Sequence, residues 1–119
     1  MGHSLGAHVI LSAIHSLAKN PKNNRIVESV HFFGGSIPAD AMSPRIHGNE
    51  FQKIVNTKIM NYFSPYDDVL KAAHDEEWVE SPIGYKGATG KTCTKYSQKM
   101  VRPQNHRFAS FARTMKSFP

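Results

Sequence analysis

Ser4 stands between two glycines in the run Gly2-His3-Ser4-Leu5-Gly6. The pattern G-x-S-x-G is that of a nucleophile elbow, a strained turn from strand to helix that lifts a serine hydroxyl into the open. Glycine is expected at both ends, because a Cβ there would meet the turn or the neighbouring backbone. A serine hydroxyl is a weak nucleophile until a base takes its proton. The base in turn needs a carboxylate to orient it and to stabilise its charged form. Nine acidic residues and seven histidines are available for these two roles.

Position along the chain separates the candidates. Asp67 and Asp68 fall in a loop directly after a predicted strand, a good place for an orienting carboxylate. Asp40 also lies in a post-strand loop, whereas Asp75 and the glutamates lack such a position. Both aspartates also precede a predicted helical turn and could cap it. One aspartate can cap while the other is catalytic; we favour Asp67 for catalysis and Asp68 for capping, and sequence alone leaves the reverse division open. Among the histidines, His106 follows the loop signature Pro103-Gln104-Asn105 and precedes an amphipathic helix carrying Phe108, Phe111, Ala112, Met115 and Phe118. The resulting order of serine, aspartate and histidine is that of the elbow enzymes. His3 is expected to face away from the nucleophile, His31 to pack in a strand, and His8, His15, His47 and His74 to sit on helices or in loops.

Three side chains so far apart in sequence need a scaffold that gathers them. Leu5 to Lys19 reads as a helix, with Val9, Ile10, Ala13, Ile14 and Leu17 on one face and Asn20-Pro21 as its stop. Its amino terminus offers free N–H groups beside Ser4, where negative charge is favoured. Ile26 to Phe33 reads as a strand ending at Gly34-Gly35, Asn49 to Asn56 as a short helix, Lys58 to Phe63 as a second strand, and Val69 to His74 as a helical turn. Helices alternating with strands predict an α/β fold with a parallel sheet and crossover helices. Functional groups then collect at the carboxyl ends of the strands. Few residues precede Ser4, so the first strand of the chain is expected only from Ile26.

Composition bounds the partners. One domain over residues 1–119 is expected, with 39% hydrophobic residues and a mean hydropathy of −0.45. No apolar run nears the ~20 residues of a membrane span, and no basic-then-apolar leader opens the chain. The lone Cys93 excludes an internal disulfide and points weakly toward a reducing, cytoplasmic setting. No zinc-ligand spacing occurs, and no cofactor is expected. Net charge is +6, and no acid follows Glu80. Lys86, Lys91, Lys95, Lys99, Arg102, Arg107, Arg113 and Lys116 fill that tail, interspersed with Tyr85, Tyr96 and Phe108. Such a run attracts phosphate backbones or anionic headgroups, although a solvated face is the commoner meaning and nucleic acid is not favoured as a partner. Gly84, Gly90, Lys91 and Thr92 come within one residue of a phosphate-binding loop and miss its spacing.

Taken together, these segments resemble the carboxyl-terminal half of an α/β-hydrolase of the lipase and esterase kind, beginning at the elbow. Gly2 to His8 resembles the elbow, Val30 to Gly35 the next strand, Asn61 to Leu70 the acid-bearing strand and loop, and Asn105-His106 the histidine loop. The stretch Asn61 to Leu70 resembles, more faintly, a membrane-associated hydrolase-like family with transmembrane and coiled-coil segments. The resemblance implies ester hydrolysis of a small-molecule or lipid ester through Ser4, Asp67 and His106, with the Leu5 N–H as an oxyanion donor. It also implies a fold lacking its amino-terminal strands, the strand before Ser4 and the loop bearing the second oxyanion donor, a loss worth ~10²–10³ in rate. The isolated chain is then expected to be aggregation-prone and nearly inactive, and to need a complementing amino-terminal half. Two further readings stand beside this one: a catalytically inactive hydrolase-like segment, and a basic binding module.

Overall fold

A computed structural model describes residues 1–75 and 81–115. Its frame is a four-stranded sheet in the order β1-β2-β3-β4, formed by Gly2–His3, Val27–Phe33, Val55–Phe63 and Tyr96–Met100. Every pair is parallel. A parallel pair cannot be joined by a tight turn, so each connection carries a crossover. Helix α1 (Gly6–Ala18) joins β1 to β2, and α2 (Asn49–Ile54) follows a π-helical turn at Pro44–Gly48 to reach β3. Helices α3 (Asp68–Asp75) and α4 (Ile83–Lys86) lie between β3 and β4, and α5 (Phe108–Ala112) follows β4. The α/β class and parallel sheet are those expected from the sequence.

Several elements differ from expectation for local reasons. A strand does precede Ser4: Gly2 and His3 pair with Phe32 and Phe33. Two residues are too few to show a strand pattern, and only the pairing makes them one. Strand β3 begins at Val55, because Val55 is already extended and ends α2. Strand β4 went unrecognised, since its burial runs from half-buried to exposed with no alternation. It is held instead by its ladder to Ile59–Phe63. On α1 the stripe facing the core is Ala7, Ile10, Leu11, Ile14, Leu17 and Ala18. Val9 is 70% exposed and Ala13 is exposed as well, so the buried face is turned from the one expected. Phe118 lies outside the described residues.

The sheet divides two cores by strand alternation. Val30, Phe32 and Ile59 face α1 and α2 and pack with Ala7, Ile14, Phe51, Ile54, Ile37 and Met42. Phe33 and Tyr62 face the other way and pack with Val101 and Phe111 of the α5 region. Phe33 and Tyr62 stack with centroids 4.8 Å apart.

Helix α4 takes up the first residues of the Gly-rich stretch that comes near a phosphate-loop spacing, and it acts as a clasp. Ile83 N–H donates to Ile37 O at 2.8 Å and Gly84 N–H to Gly35 O at 3.0 Å, while Gly84 O accepts from Ser64 N–H at 2.8 Å. The loops after β2 and β3 are thus tied to one short helix. The approach requires glycine: a Cβ on Gly84 would lie 2.3 Å from Gly35 N and 2.4 Å from the carbonyl carbon of Gly34. Neither backbone can retreat without moving its loop. Gly84→Ala is therefore expected to destabilise the chain by about 3 kcal/mol, read as a lowered urea midpoint.

Candidate active site

The carboxyl ends of four parallel strands form one edge. There the ladder runs one step past the strands. Ser4 N–H donates to Phe33 O at 3.1 Å, Gly34 N–H to Tyr62 O at 3.1 Å, and Val101 N–H to Phe63 O at 2.8 Å. The residues that follow each strand are thus in register before any side chain is considered.

Ser4 has a φ of +54°. A serine in this left-handed region is held there by its surroundings. Its N–H is fixed to β2, and its carbonyl accepts from Ala7 N–H at 3.2 Å and Ser36 N–H at 3.1 Å. Gly2 permits the turn, since a Cβ there would come within 2.5 Å of Ile10 Cδ1 and 3.0 Å of Gly6 O. Gly6 does not repeat this requirement. A Cβ on it would meet nothing within 4 Å, because the first residue of α1 opens to free space. The steric argument for glycine thus holds at one end of the motif and fails at the other.

Ser4 Oγ lies 2.7 Å from His106 Nε2. The other ring nitrogen of His106, Nδ1, bonds to Asp67 Oδ2. The tautomer that serves both bonds carries its proton on Nδ1, donates to the carboxylate and accepts from the serine hydroxyl. Asp67's side chain has no solvent exposure and His106's has 14%. The three residues singled out in sequence therefore form one hydrogen-bonded chain. The Leu5 N–H has no backbone acceptor among the described residues and sits one position past Ser4, at the start of α1.

Asp67 is positioned from both sides. Ser64 Oγ accepts from Tyr66 N–H at 3.1 Å, and Asp67 N–H donates to Ser64 O at 3.3 Å, which shapes the turn after β3. Gly34, with φ +54°, lies against the carboxylate: a Cβ there would sit 3.3 Å from Asp67 Oδ2 and 2.7 Å from Phe111 Cζ. Asp67 Oδ1 accepts from Leu70 N–H at 3.1 Å. This corrects the division of labour read from the sequence. Asp67 caps α3 with one oxygen while holding His106 with the other, and Asp68 is exposed at the helix start.

His3 departs from expectation too. Its Nε2–H donates to the carbonyl of His106, and its ring packs 4.9 Å from that of His106 and 5.8 Å from Phe111. The side chain faces the His106 loop because the strand before Ser4 directs alternate residues to opposite faces, and His3 falls on the α5 side. Ser36 was also missed. Its Oγ stands 3.4 Å from Ser4 Oγ, brought there by the loop after β2. No sequence signal marks a lone serine in such a loop. The remaining histidines lie elsewhere: His15 and His47 reach Glu50, and His74 packs on Tyr85.

Comparison with known families bears on the chain as a whole. The family described as "Protein of unknown function (DUF726)" matches residues 1–82, and the chain belongs to that family. No curated protein and no solved structure matches the chain. Among the described residues no helix is long and apolar enough to cross a membrane.

Burial also sets an acid sensitivity. His3 and His31 are both held below the ordinary histidine value of 6.5, each chiefly by desolvation, with Lys58 and the terminal ammonium adding to His31. Between the folded values and 6.5 the unfolded chain binds more protons than the folded one. Stability is therefore full above 6.5 and falls as pH drops through that window. Urea midpoints are expected to be lower at about pH 5.5 than at about pH 7.5. His31→Phe, which keeps a ring against Tyr62, should narrow the difference.

Proposed function

We propose that this chain carries the catalytic core of a serine ester hydrolase of the α/β-hydrolase type, acting on a small-molecule or lipid carboxylic ester. The observation that carries the reading is the chain of bonds from Ser4 Oγ through His106 to a fully buried Asp67. It is supported by the positive φ of Ser4 between a strand and a helix. A buried aspartate bonded to a histidine that accepts from a serine is an arrangement built to remove a proton.

In this mechanism Ser4 Oγ attacks the ester carbonyl carbon as its proton passes to His106 Nε2. Asp67 stabilises the resulting imidazolium, and the carbonyl oxygen becomes an oxyanion facing the Leu5 N–H and the amino end of α1. Collapse breaks the C–O bond to the alcohol, which leaves with the proton from His106. Water, deprotonated by His106, then attacks the acyl ester on Ser4. Collapse of this second adduct frees the acid and returns the proton to Ser4 Oγ.

The test is covalent. A fluorophosphonate probe is expected to label Ser4, and Ser4→Ala should abolish labelling while leaving the circular-dichroism melt in place. Labelling that survives Ser4→Ala would remove Ser4 from the role.

The carboxylates give a second measurement. Asp67→Asn is expected to lower kcat for a p-nitrophenyl ester by about 10⁴, because the amide favours the wrong tautomer of the base. Asp68→Asn should change kcat by no more than a few-fold. The reverse ranking would move the acid to Asp68.

A further inference from the structure

The chemistry above leaves the cations that follow Glu80 unused. Three of them converge. Lys99 on β4, Arg102 in the loop leading to His106, and Arg113 just past α5 line one groove of about 470 Å³, with Gln104, Ser110 and Thr114. No carboxylate among the described residues lines it. Among the described residues every ion pair uses a histidine, so these three cations have no acidic partner. Like charges held around one cleft repel, and an anion seated between them reverses the sign of that interaction.

The donors that remain free define the ligand. Ser110 Oγ donates to Asn105 Oδ1 at 2.8 Å and Thr114 Oγ1 to Phe111 O at 2.6 Å, so neither hydroxyl proton is available. Lys99 Nζ, the Gln104 amide and the two guanidinium groups are. The guanidinium carbon of Arg102 lies 4.8 Å from the centroid of the Tyr66 ring, a cation–π contact that uses a face of the guanidinium and not its N–H groups. Two guanidinium forks and an ammonium suit the tetrahedral oxygens of phosphate better than a single planar carboxylate. The volume accommodates a phosphate together with the group that carries it. A single-stranded nucleic acid would need aromatic platforms, and the described residues that line the groove include none.

We propose that the Lys99–Arg102–Arg113 groove is a binding site for an organic phosphate, either a soluble phosphate ester or a lipid headgroup. The site adjoins the candidate active site. Gln104 lines both this groove and the cleft behind Asp67 and His106, and Tyr66 under Arg102 lines that cleft too. Binding does not depend on ester cleavage, so it is measurable whether or not Ser4 is a nucleophile.

The test uses the 119-residue chain and two probes. Glycerol 3-phosphate is titrated by calorimetry, and phosphatidylcholine vesicles with and without phosphatidic acid are tested by co-sedimentation. The double variant Lys99→Gln/Arg113→Gln is compared with Lys22→Gln/Lys91→Gln, which removes the same charge from exposed positions outside the groove. The groove variant is expected to weaken binding at least about tenfold, the loss from one or two charge-assisted hydrogen bonds. The control should stay within about twofold, the size of a screened surface charge. Binding of glycerol 3-phosphate assigns the site to soluble phosphates, and binding of phosphatidic acid vesicles alone assigns it to a headgroup. Binding of neither probe would overturn the proposal. So would equal losses in the two double variants, or a single-stranded oligonucleotide that outcompetes both probes.

Discussion

Parallel pairing of β2 with β3 is the constraint from which the rest of the molecule follows. It brings Phe33 level with Tyr62, and pairing on either side brings His3 level with Phe33 and Phe63 level with Met100. Parallel strands all end at the same edge, so Ser4, the Gly34 loop, Asp67 and the His106 loop have no alternative but to meet. An antiparallel arrangement of the same strands would send alternate loops to opposite ends. The distances within the candidate site are therefore set by backbone register first. The side chains only complete them.

Register alone does not bring loops close enough to touch. Helix α4 does that, through backbone bonds to Gly35, Ile37 and Ser64 and a contact at Gly84 that leaves no room for a methyl group. The second core completes the arrangement from the opposite face, where Phe111 lies against Gly34 and His3 packs on His106. The proposed base is thus held by its own loop, by the elbow that carries the proposed nucleophile, and by the carboxylate, three supports from three strand ends.

Much of this was legible in the sequence. The elbow motif and the run of Ile26 to Phe33 carry strong local patterns, and so do the acid after β3 and the histidine before α5. Each of these depends on a few neighbouring residues. The misses share a different character. Strand β1 exists only through its pairing, and β4 is an edge strand with no apolar alternation. Helix α4 is four residues long, and its glycine is explained by contact with a backbone some fifty positions earlier. His3 and Asp67 took roles that depend on a third element: the α5 side of the sheet for His3, and the Leu70 N–H for Asp67. Non-local contacts leave no trace in spacing.

Asp67 spends its two oxygens on different tasks, and one of those tasks is fragile. The helix it caps fully buries one apolar side chain, Leu70, and adds the contact of His74 with Tyr85, while Asp68, Val69, Lys71, Ala72 and Asp75 face solvent. An element with so little burial opens at a lower free energy than the sheet beneath it. When α3 frays, the Leu70 N–H that restrains one carboxylate oxygen goes with it, and the carboxylate is then held by its bond to His106 and by the backbone turn after β3. The part of the molecule that fixes the Asp67 rotamer is thus less firmly held than the sheet that places Asp67, and the two need not loosen together.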